Sequence, residues 1–498
     1  MSPDNSYRQI LRSTSIIGGS SVINIVIGLL RMKAVAMLLG PAGVGLIGIL
    51  SNVVTLASNV VGLGFGNAGT RQIAEAAGEK EPQRIATARR ALFWGTLALA
   101  VLGALLFWLL RGVLATHVLG DATLAHRIGW LSLGVALTVA TASQNALLNG
   151  LRRIGDIARM QIGSALLSTT LGLLALWWWR EEGIIIFVMT APLATFLFGH
   201  LYVAKLPKMR PLTNNLRELS VQWRNLARLG GAFMVAGLAS TTGQLLVRTL
   251  VQRDLGPQAL GQFQAAWTIS MTYIGFALGA MGMDFYPRLT ALIRDHEAVN
   301  RLVNEQTEVA LLLTTPVILA MLALAPWVIH LLYTAEFAQA AMVLRWQVLG
   351  DFLKIASWPL GFILLAAGAG RTFMITEWIG MGSFVLFTWA GMPFFGITVT
   401  GIAFGGMYAV YLPLVYWLTV RRTRFSWRRR VWWQLIVMLS LAVITTGLAM
   451  YSEIAAAISG MTFAVATGLY GLIKLGSMAD FSGRLSRLAK WKHGSLKK

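Results

Sequence analysis

The sequence predicts an all-α, polytopic membrane protein of about fourteen transmembrane helices, and three observations carry that reading. Apolar segments of about 20 residues, the length a helix needs to cross a bilayer, recur from one end of the chain to the other. The 498 residues are 56% hydrophobic and only 12% charged. An internal repeat at an offset of 216 residues divides most of these segments into two sets of six. A transmembrane barrel would instead show segments of about 10 residues with a period of two, a pattern the chain lacks.

In chain order the spans are read at 14–38, 43–66, 89–110, 128–149, 160–179, 183–203, 229–251, 260–284, 308–332, 344–367, 374–391, 398–419, 431–451 and 453–475. Placing the N-terminus in the cytoplasm puts about 32 of the 42 Lys and Arg residues in or beside inner segments and about 4 outside, the asymmetry expected of cytoplasmic loops. Both termini and the connections 67–88, 204–228 and 420–430 are thereby predicted to be cytoplasmic. Tryptophans at Trp177-Trp178-Trp179 and Trp432-Trp433 read as interfacial anchors.

The repeat rests on two separated matches. Leu39-Gly40-Pro41 with Gly45 recurs as Leu255-Gly256-Pro257 with Gly261, and Trp130 with Gly134 recurs as Trp346 with Gly350. Both copies begin inside, so the sequence predicts two six-helix lobes related by an axis along the membrane normal. The division is 1–203 for the first lobe, 204–228 for a basic cytoplasmic linker, 229–420 for the second lobe, and 421–498 for two extra helices with a basic tail.

A net charge of +22 is compatible with nucleic-acid binding, but the basic residues lie in short connections between spans and act as topology signals. With no Cys and six scattered His there is no thiolate site and no ligand spacing, so no metal and no cofactor is expected. Arg8 and Arg12 before an apolar run resemble a signal peptide; the later counterpart of the first span argues against cleavage.

Charged residues inside spans are costly, roughly 2.5–3.5 kcal/mol each at a helix centre on insertion scales, and mark candidate sites. Arg31 and Lys33 precede Gly40 by nine and seven residues, and Arg248 precedes Gly256 by eight, which puts them about 10–14 Å from the ends of their spans. Asp351 and Lys354 enter the tenth span at a similar depth. They could neutralise each other, being three apart, or line a substrate path. Arg31 and Lys33 are separated by about 200° around the helix, so only one of them can face a given cavity. One carboxylate cannot balance four cations, and the surplus suits an anion of phosphate type. Asp284 with Arg288, and Arg371 with Glu377, read as interfacial pairs; Arg71 and Arg288 follow matching spans and could latch an inner gate.

On Lys33 with Gly40-Pro41-Ala42-Gly43, Arg248, Tyr286-Pro287-Arg288-Leu289, Trp346-Gln347, Gly350-Asp351, Lys354, Gly361, Arg371 and Glu377, the chain resembles the bacterial lipid-linked oligosaccharide flippases of Wzx type, in the MATE-like exporter superfamily. It looks closest to the branch that moves O-antigen units or the lipid III intermediate of enterobacterial common antigen. The resemblance covers about residues 10–420. It implies a V-shaped fold in the inner membrane that opens alternately to each face while an undecaprenyl-diphosphate-linked glycan crosses. Membrane lipid, other polysaccharide-assembly proteins and a coupling proton or sodium ion are the further partners it implies. The extra C-terminal pair of spans and Asp284 depart from the family pattern.

Two rivals carry different signatures. A drug or cation exporter of the same superfamily needs a cleft of net negative charge, against the cations counted above. A membrane glycan polymerase needs acid and base residues in an outer loop; the longest outer connection, 111–127, offers only His117, Asp121 and His126.

Overall fold

The computed structural model describes residues 3–79, 82–207 and 216–478. These residues form helices joined by short turns, with no strand among them. In order the α-helices are α1 (Pro3–Val61), α2 (Phe65–Gly78), α3 (Pro82–Leu114), α4 (Ala125–Gly129), α5 (Leu131–Gly150), α6 (Ile154–Trp179), α7 (Ile184–Ala204), α8 (Leu216–Asp254), α9 (Gly256–Leu292), α10 (His296–Leu332), α11 (Ala338–Ala366), α12 (Gly370–Phe395), α13 (Val399–Thr423), α14 (Arg429–Ala449) and α15 (Glu453–Met478). Among the described residues nine stretches are long and apolar enough to cross a membrane. Three of them hold two crossings each: Gly18–Val61 within α1, Ile154–Ala204 across α6 and α7, and Gly370–Thr423 across α12 and α13. The protein is a multi-pass membrane protein.

The repeated Leu-Gly-Pro explains where the helices break. Gly40 breaks α1 with φ 61° and ψ −166°, a region open essentially to glycine alone, and Pro41 starts the next helix where its missing N–H costs nothing. Gly256 takes φ 85° at the equivalent point between α8 and α9, again followed by proline.

Two connections differ from the sequence reading. Most of 67–88 is helical: α2 buries Phe65, Ala68, Gly69, Ile73 and Ala76, one stripe at helical spacing, against α3 and α5. Residues 216–228, assigned from sequence to the linker, are the first turns of α8, and the linker's centre at 208–215 and the basic tail at 479–498 lie outside the described residues.

The chain forms two compact units. The first comprises 1–272, 329–343 and 373–403. Its core joins Phe65, Ile73, Leu92, Leu147, Met160 and Leu226. Trp223 anchors the start of α8 by donating its indole N–H to the Ala91 carbonyl at 2.8 Å. Nearby, Gly64 and Gly230 bring α8 against the turn after α1 so closely that a Cβ on either would strike the other's backbone.

Among the described residues, the second unit comprises 273–328, 344–372 and the chain from 404 to 478. Here the hairpin of α14 and α15 is tied down at several points. The Asn304 side chain donates to the Ser426 carbonyl at 3.0 Å and accepts from the Arg428 amide at 2.7 Å, which fixes the chain entering α14. Gly460 lets α15 lie directly against Ala323 and Thr445; a Cβ there would sit 2.6 Å from the Ala323 side chain. Arg345, 1% exposed, donates through both terminal nitrogens to the Glu453 carboxylate and through Nε to the Leu322 carbonyl at 3.2 Å.

Candidate functional site

Arg248 lies on α8 in the first unit and is 3% exposed. Its Nε donates to Gln264 Oε1 at 3.1 Å, and its Nη1 donates to the Gln244 carbonyl at 3.2 Å and to Gln244 Oε1 at 3.4 Å. The rings of Phe263 and Trp267 lie 5.6 and 5.7 Å from its guanidinium carbon. Gln264 can take this position because α1 offers Gly48 there; any side chain at 48 would collide with it. Gln264 is oriented in turn by its Nε2, which donates to the Thr268 hydroxyl at 3.0 Å. Among the described residues no carboxylate reaches Arg248 and Nη2 has no acceptor. A guanidinium with neutral partners and an uncommitted donor edge is a receptor for an anion with several oxygens.

Arg31 and Lys33 turn to different neighbours. Arg31 rests over the ring of Phe187 on α7, 4.2 Å from its centroid. Lys33 donates its ammonium to the carbonyls of His330, at 3.0 Å, and Tyr333, where α10 ends. A cation at a helix C-terminus satisfies carbonyls that the helix leaves open. The adjoining turn is held by Gln262, which donates to the Glu336 carbonyl at 2.7 Å and accepts from the Ala340 amide at 3.0 Å.

In the second unit Asp351 is fully buried and accepts a hydrogen bond from the Tyr273 hydroxyl of α9. Gln347, one turn earlier and also fully buried, has no partner for either amide atom among the described residues. Lys354 places its ammonium 5.7 and 6.0 Å from the ring centroids of Phe404 and Tyr408 on α13. Those rings come close because Gly350 faces Gly405; a Cβ at 350 would stand 2.9 Å from the Gly405 Cα.

The remaining charges read from the sequence are peripheral. Arg288 pairs with Asp284 at 2.9 Å and Arg71 with Glu75 at 2.8 Å, each on its own exposed helix surface. Arg71 and Arg288 are thus each engaged with a carboxylate one turn away on the same helix. Arg371 is exposed and Glu377 half-buried. In the connection 111–127, Asp121 accepts from the Thr123 hydroxyl and amide at 2.6 and 2.8 Å, which holds its carboxyl below the usual range, and His126 packs edge-on to Trp108. No cluster of three His, Cys, Asp or Glu side chains suited to a metal occurs among the described residues.

Sequence reasoning missed Arg345 with Glu453, Tyr273, and the glutamines around Arg248. The 216-residue offset held one signal, since the position equivalent to Arg345 is Gly129: a charge added in the second copy points to a partner outside the repeat.

The fold is that of the MOP-superfamily transporters. An inward-facing multidrug-resistance MATE family transporter superposes with a TM-score of 0.67 at 16% identity, covering 82% of this chain and 99% of that one. The lipid II flippase MurJ in an inward closed conformation superposes with a TM-score of 0.70 at 11% identity, covering 93% and 100%. In sequence, the chain is 23% identical over 425 residues to the lipid III flippases of Escherichia coli (strain K12) and Shigella flexneri, spanning 82% of this chain and 97% of each relative. Residues 10–293 match the polysaccharide biosynthesis protein family, and the chain belongs to that family.

Proposed function

We propose that the protein is a lipid-linked oligosaccharide flippase, a transporter without enzymatic chemistry. It moves an undecaprenyl-diphosphate-linked glycan, of the O-antigen or lipid III class, from the cytoplasmic to the periplasmic leaflet of the inner membrane by alternating access of the lobes 1–203 and 229–420. The observation that carries this reading is Arg248: a buried guanidinium surrounded by amides and rings, with no carboxylate to neutralise it among the described residues, retains a charge for an anionic cargo. The family match and the lipid III flippase relatives support the cargo class. Arg31, Lys33, Asp351 and Lys354 are proposed as the further substrate-contacting charges, with Arg71, Asp284, Arg288, Arg371 and Glu377 at the membrane interface. A coupling proton or sodium ion and contacts with polysaccharide-assembly proteins belong to the same proposal.

The test is translocation of a fluorescent undecaprenyl-diphosphate oligosaccharide in reconstituted vesicles, scored by quenching from outside. Wild-type protein accelerates it, and Arg248→Gln, which keeps the packing and removes the charge, slows it by about a hundredfold, the scale of a lost charge-assisted bond to a desolvated anion. Undiminished translocation by Arg248→Gln removes the anion site from the mechanism. A wild type that moves organic cations and not the lipid-linked glycan overturns the assignment.

A further inference from the structure

A trench of about 820 Å³ in the first unit is lined by α3, α5 and α7. Its walls are apolar, and its width comes from small side chains: Ala86, Ala100 and Ala104 on α3 face Ala136 and Ala140 on α5. The polar groups that line it are turned away. The Thr96 hydroxyl donates to the Leu92 carbonyl at 2.7 Å and the Ser143 hydroxyl to the Ala140 carbonyl at 2.8 Å. Two side chains are exceptions: Gln144, 8% exposed, whose Oε1 accepts no hydrogen bond among the described residues, and His200, which lies stacked on Phe196 of α7. One end is different in kind. Arg89 and Arg90 line it, beside Leu151 and Pro207. Arg89 has no carboxylate within ion-pair distance among the described residues.

Length decides among the occupants. From Arg89 to Leu105 the trench follows α3 for sixteen residues, about 24 Å at the helical rise. An acyl chain of one leaflet reaches only about half of the ~30 Å hydrocarbon core. A cationic mouth above an apolar run that passes the midplane fits a phosphate on a chain longer than a phospholipid's. We propose that this trench docks a long-chain polyprenyl phosphate, with its phosphate at Arg89 and Arg90 and its isoprenoid chain along α3 and α5. The inference deepens the flippase reading and rests on it for the identity of the cargo: the chain that the glycan hangs from is held by the protein rather than left in bulk lipid.

The probe is undecaprenyl phosphate carrying a photoactivatable diazirine in its chain, added to the full-length protein in nanodiscs, with crosslinked peptides mapped by mass spectrometry. Labelling concentrates on 93–105 and 136–147 and is competed by unlabelled undecaprenyl phosphate, not by phosphatidylglycerol. Filling the trench with Ala100→Trp weakens binding on the order of tenfold, because several methylenes of chain contact are lost, and Arg89→Gln with Arg90→Gln weakens it similarly. Ala100→Leu, a milder filling, gives an intermediate effect, so that a misfolded tryptophan variant does not decide the outcome. Labelling spread over the lipid-facing surface, or equal competition by phosphatidylglycerol, overturns the proposal and makes the trench a site for ordinary lipid. The readout is binding, so the two readings separate: specific labelling without glycan translocation rejects the flippase alone, and translocation without trench labelling rejects the trench alone.

Discussion

Two buried charged groups in the second unit make opposite demands on their surroundings. Arg345 is satisfied by a carboxylate and a carbonyl, and Glu453, its partner, is 48% exposed. Glu453→Gln strands the guanidinium and is expected to cost about 3 kcal/mol, at the low end for breaking a buried pair because water still reaches one side. Thermal unfolding in detergent measures this, and replacing both residues with Met recovers most of the loss. Asp351 and Lys354 are expected to behave differently, since Tyr273 and the rings of Phe404 and Tyr408 already engage them. In a double-mutant cycle with Asp351→Asn and Lys354→Gln, the doubly neutral protein should fold at nearly the wild-type midpoint and remain inactive in vesicles. Restored activity in the double variant assigns the two charges a structural role. The presence of Asp351 and Lys354 inside a span was legible in the sequence because charges there are rare. Their partners were not, because tyrosine and phenylalanine on other helices carry no signal of their own.

At the scale of helices, glycine sets what can touch. A Cβ at Gly45 would stand 2.7 Å from the Gly261 amide nitrogen, and a Cβ at Gly261 would overlap the Pro41 carbonyl, so α1 and α9 meet backbone to backbone. Gly261→Ala is expected to force this junction apart. The chain lacks Cys, so Leu39→Cys is a clean reporter. Its labelling rate by an impermeant maleimide should rise severalfold in the Gly261→Ala background and stay constant with Gly112→Ala, where nothing lies within 4 Å of the added carbon. The sequence exposed these glycines through their repetition, and in the structure Gly40 and Gly256 of the two Leu-Gly-Pro copies both take positive φ. It concealed α2, whose apolar stripe is short and diluted by Arg71 and Glu75, and it concealed the trench, which depends on alanines from two helices that share no pattern.

For the molecule as a whole, the positive charge predicts orientation. Single cysteines replacing Ser426 and Thr123 should divide cleanly. Thr123→Cys is expected to react with impermeant reagent added to intact cells, and Ser426→Cys only after the membrane is opened. Reaction of Ser426→Cys from outside inverts the proposed topology. The polytopic, all-helical plan was readable because hydrocarbon thickness imposes a length that each span must meet by itself, although the spans read at 229–251 and 260–284 are not among the nine apolar stretches of the described residues. The two compact units were not readable, because long helices such as α9 and α11 contribute to both.

The meeting of Gly45 with Gly261 ties together two positions 216 residues apart, the offset of the sequence repeat. On the two-lobe reading, each copy of the motif packs on its own counterpart, as the matching patches of an isologous interface do. The two positions are therefore expected to vary together, since bulk added on one side of the junction must be answered on the other.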